Sequence, residues 1–163
     1  MTPLNGGAAV YLAGPLFTQG ERHWNDDLAA ALRAAGFSVA VPQEQATVIL
    51  AEGGLSPTNV RKLFEVAIQS IESSKAVVAI LDGPDADSGT CFECGYAYAI
   101  KRPVLGIRTD IRLGGDDPSK NVNLMLSQSC GRLLVLADES FSVGPSELTS
   151  RIVAALGELG VHS

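Results

Sequence analysis

Glu93 is the only charge in the run Ser88-Gly89-Thr90-Cys91-Phe92-Glu93-Cys94-Gly95-Tyr96-Ala97-Tyr98-Ala99-Ile100. A carboxylate in so apolar a stretch is costly to bury unless it is paired or used. Asp82, Asp85 and Asp87 crowd the turn just upstream. Two acids at one pocket are the minimum for glycosidic-bond chemistry: one serves as nucleophile or ion stabiliser, the other as acid or hydroxyl anchor. Asp87 and Glu93 lie roughly one and two-thirds helical turns apart, so across a helix start they can share a side. Plainer roles compete with this one. Asp87 can simply cap the helix, and Glu93 can simply pair with a lysine or arginine.

The turn itself runs Asp82-Gly83-Pro84-Asp85-Ala86-Asp87-Ser88-Gly89-Thr90. Its glycine and proline enforce the change of direction, and Gly89 thins the first helical turn so that a ligand can approach the backbone. A glycine-rich turn from strand to helix usually suggests phosphate. Here three aspartates would repel one, and neither G-x-x-x-x-G-K-[ST] nor G-x-G-x-x-G is present. A neutral, hydroxyl-rich ligand such as a nucleoside or sugar suits the charges better.

The elements that must position these groups alternate. Strands are expected at Ala8 to Ala13, Phe37 to Pro42, Ala76 to Leu81, Pro103 to Arg108 and Leu133 to Leu136. Helices are expected at Trp24 to Ala35, Asn59 to Ser73, Ser88 to about Ile100, Asn123 to Ser129 and Pro145 to Leu159. The third strand is apolar at every position, as a central parallel strand should be. The stretch from Leu113 to Lys120 is rich in Gly, Asp, Pro and Ser and reads as a mobile loop. Five strands separated by helices predict a doubly wound parallel α/β sheet of flavodoxin-like order, with residues 1–163 as one domain. Ligands of such sheets sit beyond the carboxyl ends of the strands. That edge receives Gly14-Pro15-Leu16-Phe17, Pro42-Gln43-Glu44-Gln45, the Asp82 turn, and Arg108-Thr109-Asp110.

Bulk properties narrow the partners. The 163 residues are 46% apolar, enough for a filled core, and carry a net charge of −6. No basic run exceeds two residues, which argues against binding a nucleic acid polymer. No stretch approaches the ~20 apolar residues of a membrane span. Residues 1–7 lack the charged and apolar regions of a signal peptide, so a cytoplasmic location is expected. Cys91 and Cys94 form a C-x-x-C, but with only His23 and His162 elsewhere no metal cluster suggests itself. The pair reads better as two small apolar residues on a buried helix.

Four segments together resemble the nucleoside 2-deoxyribosyltransferases. They are Tyr11-Leu12-Ala13-Gly14-Pro15-Leu16-Phe17, the Asp82 turn with Glu93-Cys94-Gly95-Tyr96-Ala97, Gly106-Ile107-Arg108-Thr109-Asp110, and Asn123-Leu124-Met125. The resemblance implies a retaining exchange without cofactor, in which a 2′-deoxynucleoside and a free nucleobase are the partners. It makes Glu93 the nucleophile on C1′, Tyr11 the group that holds it, and Asp87 the anchor of the sugar 5′-hydroxyl. Asn123 would reach the same hydroxyl from a neighbouring subunit, so a homo-oligomer is implied. Gly14 and Gly89 would border the substrate. Phe17 and Met125 would pack on the base, against a plainer reading as core residues. Gln43 or Gln45 would read base edges.

One position departs from the family pattern. The helix before the third strand normally carries an aspartate that handles the proton and polar edge of the base. Here the residue is Ala67, with Glu65, Gln69 and Glu72 nearby. Two other functions therefore stand beside transfer. One is an N-glycoside hydrolase of the same fold, although Asp87 would repel a 5′-phosphate. The other is a nucleoside-binding module without catalysis.

Overall fold

The structure is a computed structural model and describes residues 9–117, 119, 121–136, 139 and 142–163. The segment read for a signal peptide (1–7), the first expected strand residue Ala8 and the expected loop end Lys120 lie outside these. The elements in chain order are β1 (Val10–Ala13), α1 (Gln19–Ala34), β2 (Val39–Ala40), α2 (Pro42–Leu50), α3 (Pro57–Ser73) and β3 (Ala76–Ile80). They continue with α4 (Ser88–Ala99), β4 (Val104–Arg108), α5 (Leu124–Ser129), β5 (Arg132–Val135) and α6 (Pro145–Glu158).

All pairings are parallel, and the sheet order is β2-β1-β3-β4-β5. This is the flavodoxin-like order expected from the alternation of strands and helices. Because side chains alternate across a strand, each strand feeds two cores. Val10, Leu12, Val78, Ile80, Leu105 and Ile107 pack with Leu28, Leu32 and Ile152 of α1 and α6. Tyr11, Ala13, Val77 and Ala79 point the other way, towards Ile71 of α3, Cys94 and Ala97 of α4, and Leu126 of α5. The order reverses between β1 and β3, so the crevice at their carboxyl ends is where the topology puts a ligand.

Caps set most helix starts. Asp87 accepts from the Thr90 amide and caps α4, while Ser56 does the same for α3 through Asn59. α1 begins five residues before the expected Trp24, because Thr18 and Glu21 form a reciprocal capping box. β2 is only two residues long, and Pro42, expected to end that strand, instead starts α2. Proline fits the first turn of a helix, where its missing N–H has no partner to lose.

The segment expected to be a mobile loop is tied down in its described part. Asp117 pairs with Val122 in an isolated bridge and accepts from Ser119 and Ser127. Gly114 and Gly115 are packed so closely that an added Cβ would fall 2.6 Å from the Pro84 carbonyl oxygen and 2.1 Å from the Val122 carbonyl carbon, respectively. Gly115 also has φ +70°, a conformation that disfavours other residues.

The capping box yields a stability prediction. Thr18→Ala removes the acceptor for the Glu21 amide and should lower unfolding free energy by about 1 kcal/mol in urea titration.

Candidate active site

Tyr11 is the second residue of β1, 0% exposed, and its side chain leaves the sheet on the α4 side. Its hydroxyl donates to Glu93 Oε1 at 2.5 Å, across 82 residues of sequence. Glu93 is half-buried on the second turn of α4. The helix turns Thr90, Cys94 and Ala97 inward, which leaves Glu93 at the margin of the buried face. Burial is the main influence on its carboxyl and pushes the pKa up to about 7. The Tyr11 hydrogen bond pulls the other way, and the charge of Asp87 adds to the rise. The Tyr11 phenol is pushed far above its ordinary range, first by burial and then by Glu93, so it remains a donor at neutral pH.

Asp87 stands at the start of the same helix. Its Oδ2 accepts from the Thr90 amide at 2.9 Å and from the Thr90 hydroxyl at 3.2 Å. A Cβ on Gly89 would sit 3.0 Å from that oxygen, so the glycine keeps the approach to Asp87 clear. Asp87 thus caps α4 and still projects its charge onto Glu93.

The other two aspartates of the turn do different work. Asp82 accepts from the Thr109 amide (2.5 Å), the Thr109 hydroxyl (2.6 Å) and the Asp110 amide (2.9 Å). It staples the turn after β3 to the turn after β4. Asp85 accepts from the Ala86 amide and borders the cleft between α4 and α5. Only Asp87 of the three influences Glu93.

The remaining expected residues divide between the two faces of the sheet. Phe17 is 72% exposed and Met125 is 71% exposed, so neither is a core residue. Asn123 caps α5 by accepting from the Met125 amide at 2.9 Å. Gln43 does not join Tyr11 and Glu93. It turns towards α1, where its amide donates to Asp26 Oδ1 and the Arg22 carbonyl and accepts from Asn25. Gly14 lies on that α1 side as well, with Ile80 Cδ1 3.2 Å from the place of a Cβ. Gln45 is instead directed to α3, where Nε2 donates to Ser70 Oγ at 2.8 Å.

Ala67 lies on α3 one turn before Ile71, which packs in the same core as Tyr11. Glu65, Gln69 and Glu72 do not share its flank, each lying more than about 130° away around the helix, whereas Ser70, the partner of Gln45, does. Glu65 pairs with Arg61, and Glu72 accepts from the Tyr96 hydroxyl at 2.5 Å.

A groove of about 560 Å³ lies between α4 and α5, bordered by Cys91, Gly95, Tyr98 and Met125. Cys91, Gly95 and Tyr98 are on the flank of α4 opposite Glu93, so this groove is separate from the carboxylate site. The three cysteines are free, and burial raises every thiol, Cys130 to about 11. Among the described residues no group of His, Cys, Asp or Glu could hold a metal ion, and no helix is long and apolar enough to cross a membrane.

One buried charge stands in a segment expected at this edge but has no role of its own in the sequence reading. Arg108 ends β4 and is 1% exposed. Its signal in the sequence is akin to that of Glu93: a lone charge against an apolar run, here at the end of the run and not inside it.

Comparison with known proteins bears on the fold and the family. The family profile for nucleoside 2-deoxyribosyltransferase matches residues 10–125. A conserved protein from Enterococcus faecalis is 26% identical, with 93% of this chain and 100% of that chain covered at a TM-score of 0.68. The 2-deoxyribosyltransferase of Bacillus psychrosaccharolyticus is 23% identical over 83% of this chain and 91% of its own, with a TM-score of 0.64. The CMP N-glycosidase of Clostridium botulinum shares the fold at 17% identity, over 90% and 98% of the two chains, with a TM-score of 0.56. No curated protein sequence matches. The profile spans well over half of the 163 residues and includes Tyr11, Asp87, Glu93, Asn123 and Met125: the chain belongs to the nucleoside 2-deoxyribosyltransferase family.

Proposed function

We propose that this protein transfers the 2-deoxyribosyl group between nucleobases through a covalent ester on Glu93. The observation that carries the reading is the Tyr11–Glu93 hydrogen bond at the carboxyl edge of the sheet. Tyr11 engages Oε1, which leaves Oε2 to attack C1′ of a 2′-deoxynucleoside. As the Oε2–C1′ bond forms, the C1′–N bond breaks and its electron pair leaves with the base, which takes up a proton. A nitrogen of a second base then attacks C1′, the ester C–O bond breaks, and the Glu93 carboxylate is restored as the incoming base loses its proton. Splitting one displacement into two lowers each barrier. Partial desolvation makes the carboxylate a stronger nucleophile, and the rigid Tyr11 donor fixes which oxygen reacts.

On this reading Asp87 accepts the sugar 5′-hydroxyl with the lone pairs its cap leaves free. Asn123 and the exposed Phe17 and Met125 complete the pocket, with Asn123 and Met125 supplied by a neighbouring subunit of a homo-oligomer. Gln45 is better placed than Gln43 to meet the base, since Ser70 holds it on the α3 side. With Ala67 in place of a carboxylate, water or the substrate carries the base's proton. The free thiols suit a reducing cytoplasm, and exchange of bases on deoxynucleosides would place the reaction in deoxynucleoside salvage.

Incubation with deoxyinosine and adenine, followed by chromatography, tests the reaction. New deoxyadenosine is expected. Hypoxanthine with free deoxyribose and no deoxyadenosine would mean hydrolysis, and no reaction with purine or pyrimidine donors would mean a binding module. Glu93→Ala should abolish exchange while circular dichroism stays native.

The reaction should also follow the ionisation of Glu93. With its pKa at about 7, kcat should rise with pH through neutrality and level off above it. Tyr11→Phe removes the contact that lowers that pKa, so the rise should move to higher pH. The plateau should fall roughly 10- to 100-fold, as expected for losing a hydrogen bond to a charged group. An unshifted profile would contradict the assigned contact.

Stability carries the same signature. A carboxyl raised from 4.5 to about 7 on folding makes the folded state relatively less stable as pH climbs through that window. Glu93→Gln should therefore raise Tm at pH 8, with the gain shrinking towards pH 4.5.

A further inference from the structure

We infer that Arg108 is a positioning residue that sets the geometry of the 5′-hydroxyl anchor from inside the protein; this rests on the role proposed for Asp87. The guanidinium is buried at the end of β4 and is spent on main-chain carbonyls. Nη1 donates to the Leu81 oxygen at 2.6 Å and the Gly83 oxygen at 2.8 Å, and Nη2 donates to the Arg112 oxygen at 2.9 Å. Its Nε has no hydrogen-bond partner among the described residues. One side chain therefore grips the turn that leads to Asp87 and the turn that leads towards Asn123.

The surrounding contacts run in the same direction. Asp82 binds Thr109 and Asp110, while the Asp110 carboxylate accepts from the Gly83 amide at 2.9 Å and pairs with Arg112. The loop that Arg108 holds at Arg112 then presses Gly114 against the Pro84 carbonyl and Gly115 against Val122 and Asn123. Gly114 thus meets the backbone that leads to Asp87, and Gly115 meets the backbone of Asn123, which on the proposed reading serves the neighbouring subunit's sugar. A shift at Arg108 would be passed to the turn that carries Asp87 through Gly83 and the Gly114–Pro84 contact.

Energetics favour this role over simple scaffolding. A buried cation held by carbonyls with an orphaned N–H is a costly way to fill space, and apolar replacement of buried charges is often neutral or stabilising. What the guanidinium supplies is three donors in a fixed planar fork, which methionine cannot offer and lysine supplies without the fork.

The test compares two donors in the same protein sample, deoxyinosine and 2′,5′-dideoxyinosine, with adenine as acceptor. The ratio of their kcat/KM values reports the use of the 5′-hydroxyl and does not depend on the folded fraction. Arg108→Met should lower that ratio at least about 10-fold, towards the ratio of Asp87→Asn, and Arg108→Lys should fall between. Should Arg108→Met prove too unstable to purify, Arg108→Lys gives the same reading. An unchanged ratio in the folded variants, with both donors slowed alike, would overturn the assignment and leave the transfer reaction standing. A wild-type protein that transfers without preferring the 5′-hydroxyl would also overturn it. A wild-type protein that transfers nothing would overturn the functional reading together with it.

Discussion

The hydrogen bond between Tyr11 and Glu93 joins a central strand to the helix that starts beyond the neighbouring strand. Most of the fold can be read as support for it. β1 is buried on both faces, so Tyr11 cannot move without disturbing the sheet. α4 is pinned at its start by Asp87 and along its length by Cys94 and Ala97. The bond therefore closes a loop whose ends are already fixed, and little conformational entropy opposes it. A carboxylate held in this way is kept half out of water with one oxygen already satisfied. Burial raises its proton affinity against the pull of the Tyr11 bond, and the second oxygen is left underused.

The sheet also divides labour between its faces. On the α4 side Tyr11 of β1 meets Glu93 of α4; on the α1 side Asn25 of α1 and Gln43 of α2 are locked together, with Gln43 also bound to Asp26. At the rim the two turns after β3 and β4 are joined by buried polar contacts that use main-chain groups as partners. Such contacts hold position more than they add stability, because each exchanges a bond to water for a bond to protein.

Much of this was legible in the amino-acid sequence, for identifiable reasons. β3 is apolar throughout and β4 is so up to its last residue, Arg108, and apolar runs between helices leave few alternatives to a central parallel sheet. Glu93 stood out because an apolar helix isolates it. The boundaries that failed depend on local caps: Thr18 with Glu21 starts α1 early, and Pro42 opens a helix where a strand end was expected. Gln43 failed for a different reason. Sequence order indicates which edge of a sheet a residue reaches, but its face depends on the helix that follows. α2 was not anticipated, so the direction of Gln43 could not be either. The loop around Gly114 and Gly115 looked mobile by composition, yet its glycines are there because neighbouring backbones leave no room for a side chain.

Ala67 gives the site an asymmetry with a wider meaning. On the side proposed for the sugar, Asp87 makes polar, directional contacts with Thr90. On the side of α3, a methyl group stands where the family pattern has a carboxylate. A methyl group distinguishes molecules by bulk, and bulk separates similar heterocycles weakly, whereas a buried polar partner rejects a mismatched edge strongly, so polar recognition on this side would fall to Gln45 alone. An enzyme built in this way would be strict about the handle and lenient about the cargo, and the helix position that grants the leniency would be a natural place to reshape it.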